Sequence, residues 1–317
     1  MQIKTLHIEF TTACNSKCIM CNYWKNGRLE VINTSLVFNS ISEQCSNGLK
    51  TVYFSGGECL MFADQLFPFV RKIRETFPHL KIGIVTNGIL IKKHYKEIAH
   101  LFSKVIISLD AADSQTYKKI RGIDGFETVK DGIRILKHYS PNTQVNLRVL
   151  VLDENVNELP KIIEFAVNEH LNRISFIPED TSNENAFGRS DRSHIKNHRA
   201  MVSLPTLKHI IRQIKMDFAT EMNTLLRPNV EDLEYVYSIY SNETNKAPRC
   251  NKATSSCVIE ADGRISPCFF IRGNQFVSDN VSLQRILNSN AYCQVVQDIN
   301  AHEYPVCNRC ACPKELS

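Results

Sequence analysis

Three thiols sit on one short stretch near the start of the chain. Cys14, Cys18 and Cys21 follow a C-x3-C-x2-C spacing, directly after an apolar run, Leu6–Phe10, that reads as a strand. Iron–sulfur clusters are usually held by four cysteine thiolates. A cube held by only three keeps one iron open to an outside ligand, as catalytic metal sites keep an open position. Two plainer uses of the same residues are a zinc site and a disulfide. Zinc prefers C-x2-C pairs and four ligands. Disulfides suit secreted chains, and the Met1–Lys4 start lacks the apolar region of a secretory signal. A second group, Cys250, Cys257, Cys268, Cys307, Cys310 and Cys312, lies at the far end. Nine of the 12 cysteines fall in these two groups, and such clustering without a signal peptide points to metal. Cys45, Cys59 and Cys293 stand alone and are expected to pack as small apolar residues.

Other chemistry-bearing residues fall at the ends of later strand-like runs. Gly56, Gly57 and Glu58 follow the second, Thr86, Asn87 and Gly88 the third, and Ser108 and Asp110 the fourth. Glycines let a backbone come close to a ligand, and a glutamate can accept from an ammonium group. The cysteine spacing, with Gly-Gly-Glu one β/α unit later, resembles the radical S-adenosylmethionine (SAM) superfamily. The resemblance implies that Cys14, Cys18 and Cys21 hold a [4Fe–4S] cluster whose open iron is chelated by the amino and carboxylate groups of SAM. Reductive cleavage would then yield a 5′-deoxyadenosyl radical that takes hydrogen from an unactivated C–H bond. It further implies that Gly56, Gly57 and Glu58 hold the SAM amino group, and that Asn87 and Ser108 reach the ribose and carboxylate. Arg121 would pair with that carboxylate, as guanidinium groups do, or else be a surface arginine beside Asp124. Tyr23 takes the adenine-contacting position, and Ile174–Pro178 could pack on the adenine face. Arg148, read as pointing into the barrel, is the candidate substrate contact; a charge there needs a partner, and a structural salt bridge is the alternative.

The C-terminal spacing resembles the shortened "twitch" form of the SPASM domain, in which a β-hairpin and a helix cage one auxiliary [4Fe–4S] cluster. Cys250, Gly263 and Cys268 match its first part, and Cys307 and Cys310 would complete four ligands, with Cys312 able to replace Cys310. Two clusters in all are expected. Cys257 stays open between three roles: ligand, core thiol, or hydrogen-atom donor to a substrate radical. A zinc ribbon is the alternative for the whole tail.

Relatives with one auxiliary cluster include dehydrogenases and epimerases of aminoglycoside-type alcohols. The resemblance therefore implies epimerisation or dehydrogenation of a small, carbohydrate-like substrate, with an electron donor such as flavodoxin or ferredoxin. The absence of a peptide-recognition segment ahead of the barrel favours a small molecule over a precursor peptide, whose modification is the runner-up. A non-catalytic zinc-binding protein is the rival from another class.

These residues need a frame. Strand-like runs at Ile3–Phe10, Thr51–Phe54, Lys81–Thr86, Val105–Leu109, Val145–Leu152 and Arg173–Pro178 alternate with amphipathic stretches at Ser35–Gln44, Phe62–Phe77, Ile91–Leu101, Phe126–His138 and Leu159–His170. That alternation predicts an α/β fold of βαβ units with a parallel sheet, and six such units match the partial (β/α)6 TIM-like barrel that the resemblance implies. Active sites of parallel barrels lie at the C-terminal strand ends, where the motifs fall. The predicted layout is a core over 1–200, connecting helices over 201–245 (Leu204–Met222 and Val230–Tyr240), and an auxiliary domain over 246–317. Asp180–His198 reads as a loop over the barrel mouth or a solvated linker. In the tail, Cys257–Ala261 and Arg264–Phe270 flank an Asp-Gly turn, and Ser282–Leu287 reads as a helix. The net charge of +5, without blocks of like charge, gives no case for nucleic acid. No apolar run is long enough to span a bilayer, so a cytoplasmic protein without membrane partners is expected.

Overall fold

The computed structural model describes residues 1–25, 29–179, 202–221, 225, 229–243, 250, 252–308 and 310. The expected loop at Asp180–His198 and Cys312 lie outside the described residues. Six strands alternate with helices: β1 (Thr5–Thr11), α1 (Thr34–Ser46), β2 (Thr51–Gly56), α2 (Ala63–Thr76), β3 (Lys81–Thr86), α3 (Ile91–Leu101), β4 (Lys104–Ser108), α4 (Ser114–Arg121), α5 (Phe126–Tyr139), β5 (Gln144–Val151), α6 (Leu159–Asn168) and β6 (Arg173–Pro178). Then come α7 (Leu204–Asp217), α8 (Asn229–Tyr240), α9 (Lys252–Ser255), β7 (Ser256–Ile259), β8 (Arg264–Ser266), β9 (Gln275–Phe276), α10 (Leu283–Leu287), α11 (Asn290–Asn300) and α12 (Pro305–Asn308).

The strands form one sheet in the order β6-β5-β4-β3-β2-β1-β7-β8-β9. All pairs from β6 to β7 are parallel, and β7-β8-β9 is an antiparallel meander. The expected tail hairpin is therefore present, but it extends the barrel sheet rather than standing apart from it. Gly263, at φ +85°, makes the turn that the Asp-Gly pair predicts. β8 stops at Ser266, short of the expected Phe270, because the chain folds back on the strand end. Gly273 lies so close there that a Cβ would meet the Ile265 carbonyl at 1.8 Å.

The two faces of the sheet differ in burial. Val105, Ile107, Val145, Leu147, Val149, Ile174 and Phe176 are at most 1% exposed. They meet helix stripes such as Val129, Ile133 and Leu136 of α5, spaced to lie on one face. Each of these side chains stabilises the fold by about 1.5–3 kcal/mol. The alternate residues, among them His7, Tyr53, Lys104, Ser108, Arg148 and Ser175, are only partly buried and line the other, inner face. Strand register stacks them in layers. His7, Tyr53, Gly83 and Lys104 are in line across β1 to β4, and Ser108, Arg148 and Ser175 across β4 to β6, nearer the C-terminal strand ends. In the lower layer the Tyr53 ring lies over Gly83, where a Cβ would be 2.5 Å from it. That ring stacks on His7 at 5.4 Å, and Phe269 meets His7 edge-on, giving the inner face an aromatic floor. Burial first, then the charges of Lys252 and Arg148, depresses the His7 pKa to about 3, so its imidazole is neutral. No described helix is long and apolar enough to cross a membrane.

Candidate functional site

The loop carrying Cys14, Cys18 and Cys21 is clamped from three sides at the strand ends. From β2, the Gly57 and Glu58 amides donate to the Thr11 and Ala13 carbonyls at 2.8 and 2.7 Å. From β3, the Asn87 side chain donates to Asn15 Oδ1 at 2.6 Å and Ser16 Oγ at 3.0 Å. From the end of α4, the Arg121 and Ile120 carbonyls accept from the Lys17 and Ile19 amides at 3.1 and 2.9 Å. Gly122 closes α4 with φ +66°, and a Cβ there would meet the Lys17 carbonyl at 2.4 Å.

On the side where a Cβ would stand, the glycines of the Gly-Gly-Glu turn make room for the cysteine loop. A Cβ on Gly56 or Gly57 would lie 2.3 or 2.0 Å from the Thr11 or Ala13 carbonyl. Glu58 is fully buried, and its carboxylate faces β3. Oε1 accepts from the Leu60 amide at 3.1 Å, Oε2 from the Asn87 amide at 2.7 Å, and both from the Thr86 hydroxyl at 2.9 Å. Burial raises the Glu58 pKa, and these donors oppose the shift.

Arg121 is not the surface residue beside Asp124 that was one reading of it. It is 8% exposed, and its Nη2 lies 2.5 Å from Asp110 Oδ2, while Asp124 pairs with Lys118. Nη1 of Arg121 also donates to the Cys18 thiol at 3.8 Å. Burial disfavours the guanidinium charge, but Asp110 and Cys18 outweigh it and raise the Arg121 pKa. Asp110 was read only as part of a SAM-contacting segment; here it also accepts from the Leu150 amide at 2.8 Å.

Tyr23 donates its hydroxyl to Glu9, whose other oxygen accepts from the Ala261 amide at 3.1 Å. The cysteine loop, β1 and the tail meander thus meet at one carboxylate. Of the proposed adenine face, Ile174 and Phe176 point the wrong way, into the helix-side core. Ile177 packs with Cys18, Met20, Leu150 and Leu152 beside the loop. Ser108 and Arg148 stand side by side in register on the inner face.

Burial, then neighbouring charges that include Cys18, pushes the Cys14 thiol up to about 11 and the Cys21 thiol up to about 12. A metal ion would reverse this by stabilising the thiolates. Among the described residues, no three His, Cys, Asp or Glu side chains are already arranged to hold a metal ion. The surroundings nevertheless fit a cluster with an organic ligand. Buried polar atoms without a protein partner gather here: both side-chain ends of Asn22, the Tyr117 hydroxyl and Arg121 Nε. Burial, Arg121 and Cys18 are among the influences on the Tyr117 phenol, whose pKa is pushed up to about 12. Leaving such atoms unpaired costs about 1–3 kcal/mol each, so a polar guest that reached them would be stabilised. Asn22, Tyr117 and Glu9 escaped the sequence reading. Only Glu9 carries a signal, a carboxylate inside an otherwise apolar strand.

At the other end, Cys250, Cys268 and Cys307 share one neighbourhood. Burial, then Cys250, pushes the Cys307 thiol up to about 11. The raised Tyr304 phenol answers to burial, Asp298, Cys307 and Cys268. Tyr235 donates to the Cys310 carbonyl at 2.5 Å, fixing that segment against α8. Cys257 does not face the inner cavity, as a hydrogen donor must. It pairs in register with Leu6, so its thiol shares the helix side of the sheet and is 0% exposed. Burial raises its pKa, keeping it a thiol. Cys59 is likewise a core thiol at 0% exposure.

A sequence model of the radical SAM superfamily matches residues 8–166, and one for an iron–sulfur cluster-binding domain, SPASM, matches residues 250–311. A probable GTP 3′,8-cyclase of Methanococcus maripaludis is 25% identical over 275 residues, covering 84% of this chain and 85% of that protein. A GTP 3′,8-cyclase of Campylobacter jejuni is 24% identical over 275 residues, covering 85% and 81%. The fold is similar to Streptococcus suis SuiB bound to S-adenosylmethionine, with a TM-score of 0.70 and 17% identity over 93% of this chain and 68% of that one. It is also similar to anSMEcpe with bound AdoMet, with a TM-score of 0.66 and 17% identity over 94% and 83%. These matches exclude the non-catalytic zinc reading. With half of its length matched by the family model, and with the cysteine loop held at the strand ends, this chain belongs to the radical SAM superfamily and takes S-adenosylmethionine and iron–sulfur clusters as cofactors.

Proposed function

We propose that this enzyme abstracts hydrogen from a C–H bond of a small, sugar-bearing, anionic molecule held in the inner cavity by Arg148. The observation that carries this reading is the layer of Ser108, Arg148 and Ser175, which sets a guanidinium and two hydroxyls near the strand ends, above the aromatic floor. Guanidinium groups favour carboxylates and phosphates, and serine hydroxyls suit sugar oxygens. When bound, the N-terminal cluster and SAM supply a 5′-deoxyadenosyl radical. The chain's own task is to hold Cys14, Cys18 and Cys21 rigid through Glu58, Asn87 and Arg121, and to present the substrate from Arg148. Cys250, Cys268, Cys307 and Cys310 are the ligand set proposed for one auxiliary cluster. The helix-side orientation of Cys257 supports a structural thiol rather than a donor, and so supports dehydrogenation over Cys257-dependent epimerisation. The relatives named as GTP 3′,8-cyclases support a small substrate with a sugar and an anionic group.

The second reading, peptide modification, rests on the likeness in fold to SuiB bound to a precursor peptide. Anaerobic SAM cleavage measured with nucleotides, phosphorylated sugars, neutral sugars and peptides separates the two. Turnover confined to anionic sugar compounds supports the proposal, and turnover of peptides alone overturns it.

A further inference from the structure

Trp24, the chain's single tryptophan, is 38% exposed. Its indole N–H donates to the Cys18 carbonyl at 3.0 Å, so an aromatic surface open to solvent is fixed to the backbone of a proposed cluster ligand. The Lys25 ammonium stands 5.2 Å from the centre of that ring. Lys17 directly precedes Cys18 and is exposed, and its amide donates to the Arg121 carbonyl at 3.1 Å. That bond, with Gly122 packed on Lys17, brings the end of α4 to the loop. The outward side of α4 there carries Lys118 and Lys119, both exposed. Lys118 pairs with Asp124, whereas Lys17, Lys25 and Lys119 have no carboxylate partner among the described residues. Four lysines and an exposed indole thus stand on the segments that meet at Cys18. Clamping the loop uses none of these charges, since it is held through backbone groups, Glu58, Asn87 and Arg121.

We infer that this face is the docking surface of a small acidic electron-carrier protein, with Trp24 as its apolar anchor and the four lysines as a steering rim. Tryptophan is enriched among the residues that anchor interfaces, unbalanced surface charge steers a partner of opposite sign, and electron-transfer encounters need only small contact areas. Reductive cleavage of SAM takes one electron from outside the chain. The carrier is oxidised by one electron and the N-terminal cluster is reduced by one, and a carrier seated here has only the cysteine loop between it and that cluster. The inference rests on the proposed ligand role of Cys18. A second lysine group, Lys4, Lys50 and Lys81, lies at the opposite, N-terminal ends of β1, β2 and β3, where their backbones bond in series. Its charge is similar but its place is remote from the loop, which makes it the control.

The test uses the full chain, reconstituted anaerobically, with an acidic flavodoxin and an acidic ferredoxin as probes. Wild type is compared with Lys17→Glu/Lys119→Glu and with Lys50→Glu/Lys81→Glu, which changes the net charge equally at the far end. Dissociation constants are measured by calorimetry in about 0.1 M salt, where charges act over about 10 Å. Formation of 5′-deoxyadenosine is followed with each carrier and with photoreduced deazariboflavin, a small reductant that needs no docking surface. The loop-side variant should weaken carrier binding and slow carrier-driven cleavage about tenfold, and the far-end variant should stay within about twofold of wild type. With deazariboflavin both variants should match wild type, at equal iron. Equal losses in the two variants make net charge the cause and overturn the docking surface. An unchanged Kd in the loop-side variant overturns it too, as does failure of both carriers to bind wild type. If Lys17→Glu/Lys119→Glu loses iron, Lys119→Glu compared with Lys81→Glu decides, with about a threefold difference in Kd expected and equal Kd values refuting the surface. Carrier binding needs no cluster. A Kd that separates the variants in a chain whose iron is unaffected by Cys18→Ala therefore refutes the ligand assignment and leaves the docking surface standing.

Discussion

Glu58 offers a test that separates anchoring of the cysteine loop from direct contact with SAM. In Glu58→Gln the shape is kept and one oxygen becomes NH2. Each carboxylate oxygen accepts from a backbone amide, Oε1 from Leu60 and Oε2 from Asn87. Whichever way the new amide turns, its NH2 faces an N–H and one buried donor loses its acceptor. A hydrogen bond to a charged group contributes about 1.5–3 kcal/mol, and the orphaned amide costs about 1–3 kcal/mol more. Against this stands the cost of burying the carboxylate charge, seen in its raised pKa. The expected net loss is about 3 kcal/mol, or on the order of 6–12 °C in Tm at about 2–4 °C per kcal/mol. Thermal unfolding of the cofactor-free protein measures this without any contribution from SAM, and iron content after anaerobic reconstitution should fall with it. If Glu58→Gln keeps the Tm and the iron of the wild type but binds SAM poorly, the anchoring argument is wrong and the carboxylate belongs to the ligand.

Four further outcomes follow from the same geometry. Gly122→Ala places a Cβ against the Lys17 carbonyl at a left-handed position and should cut iron bound at the N-terminal site several-fold while leaving that at the C-terminal site, as read by iron content and cluster spectra. His7 has a folded pKa of about 3 against 6.5, so the unfolded chain binds more protons between those values and stability rises with pH through that window. His7→Phe should flatten that acid limb in urea titrations run from pH 3 to 7, and an unchanged slope refutes the assignment. Arg148→Ala should raise KM for an anionic substrate about tenfold or more, with a smaller rise for Arg148→Lys, because the fork geometry is lost but not the charge. Cys257→Ala should keep about eight irons and wild-type turnover, at a stability cost of about 1–2 kcal/mol for the lost core contact; a drop towards four irons would make Cys257 a ligand.

Much of the frame was legible because alternation and strand ends carry it. β3 and β6 begin and end where the sequence predicts, and so does α3. The missed helices carry few apolar residues among polar neighbours. α4 is a polar octet that buries only Tyr117, Ile120 and Arg121. α11 buries Tyr292, Val296 and Ile299 among polar neighbours, and the tail reading passed over it. The thiols and the Gly-Gly-Glu turn announce themselves by type and spacing, but what they touch does not. Gly57 reads as close approach of the backbone, but that the Ala13 carbonyl stands on its Cβ side is visible only in the fold. Arg121 has a nearer charge in sequence, Asp124, than the one it uses, Asp110, because the helix carries its guanidinium back towards the β4 end. Cys257 could be oriented only through register, which the hairpin alone does not set. Its pairing with β1 is contact between the two ends of the chain, beyond the reach of any local pattern.

The pairing of β1 with β7 also orders events at the ribosome. Thr5 waits for Ser256 before that side of β1 is covered, a delay on the order of tens of seconds at about 5–20 residues per second. Throughout that time the strand leading into the cysteine loop is an open edge with Leu6, Ile8 and Phe10 beside it, the kind of surface that pairs with other chains. Gln284 adds a late tie to the Met1 carbonyl at 3.1 Å. β1, made well before the tail, is thus among the last segments to be secured, and truncation of the tail meander should appear as aggregation during synthesis before it appears as a missing cluster.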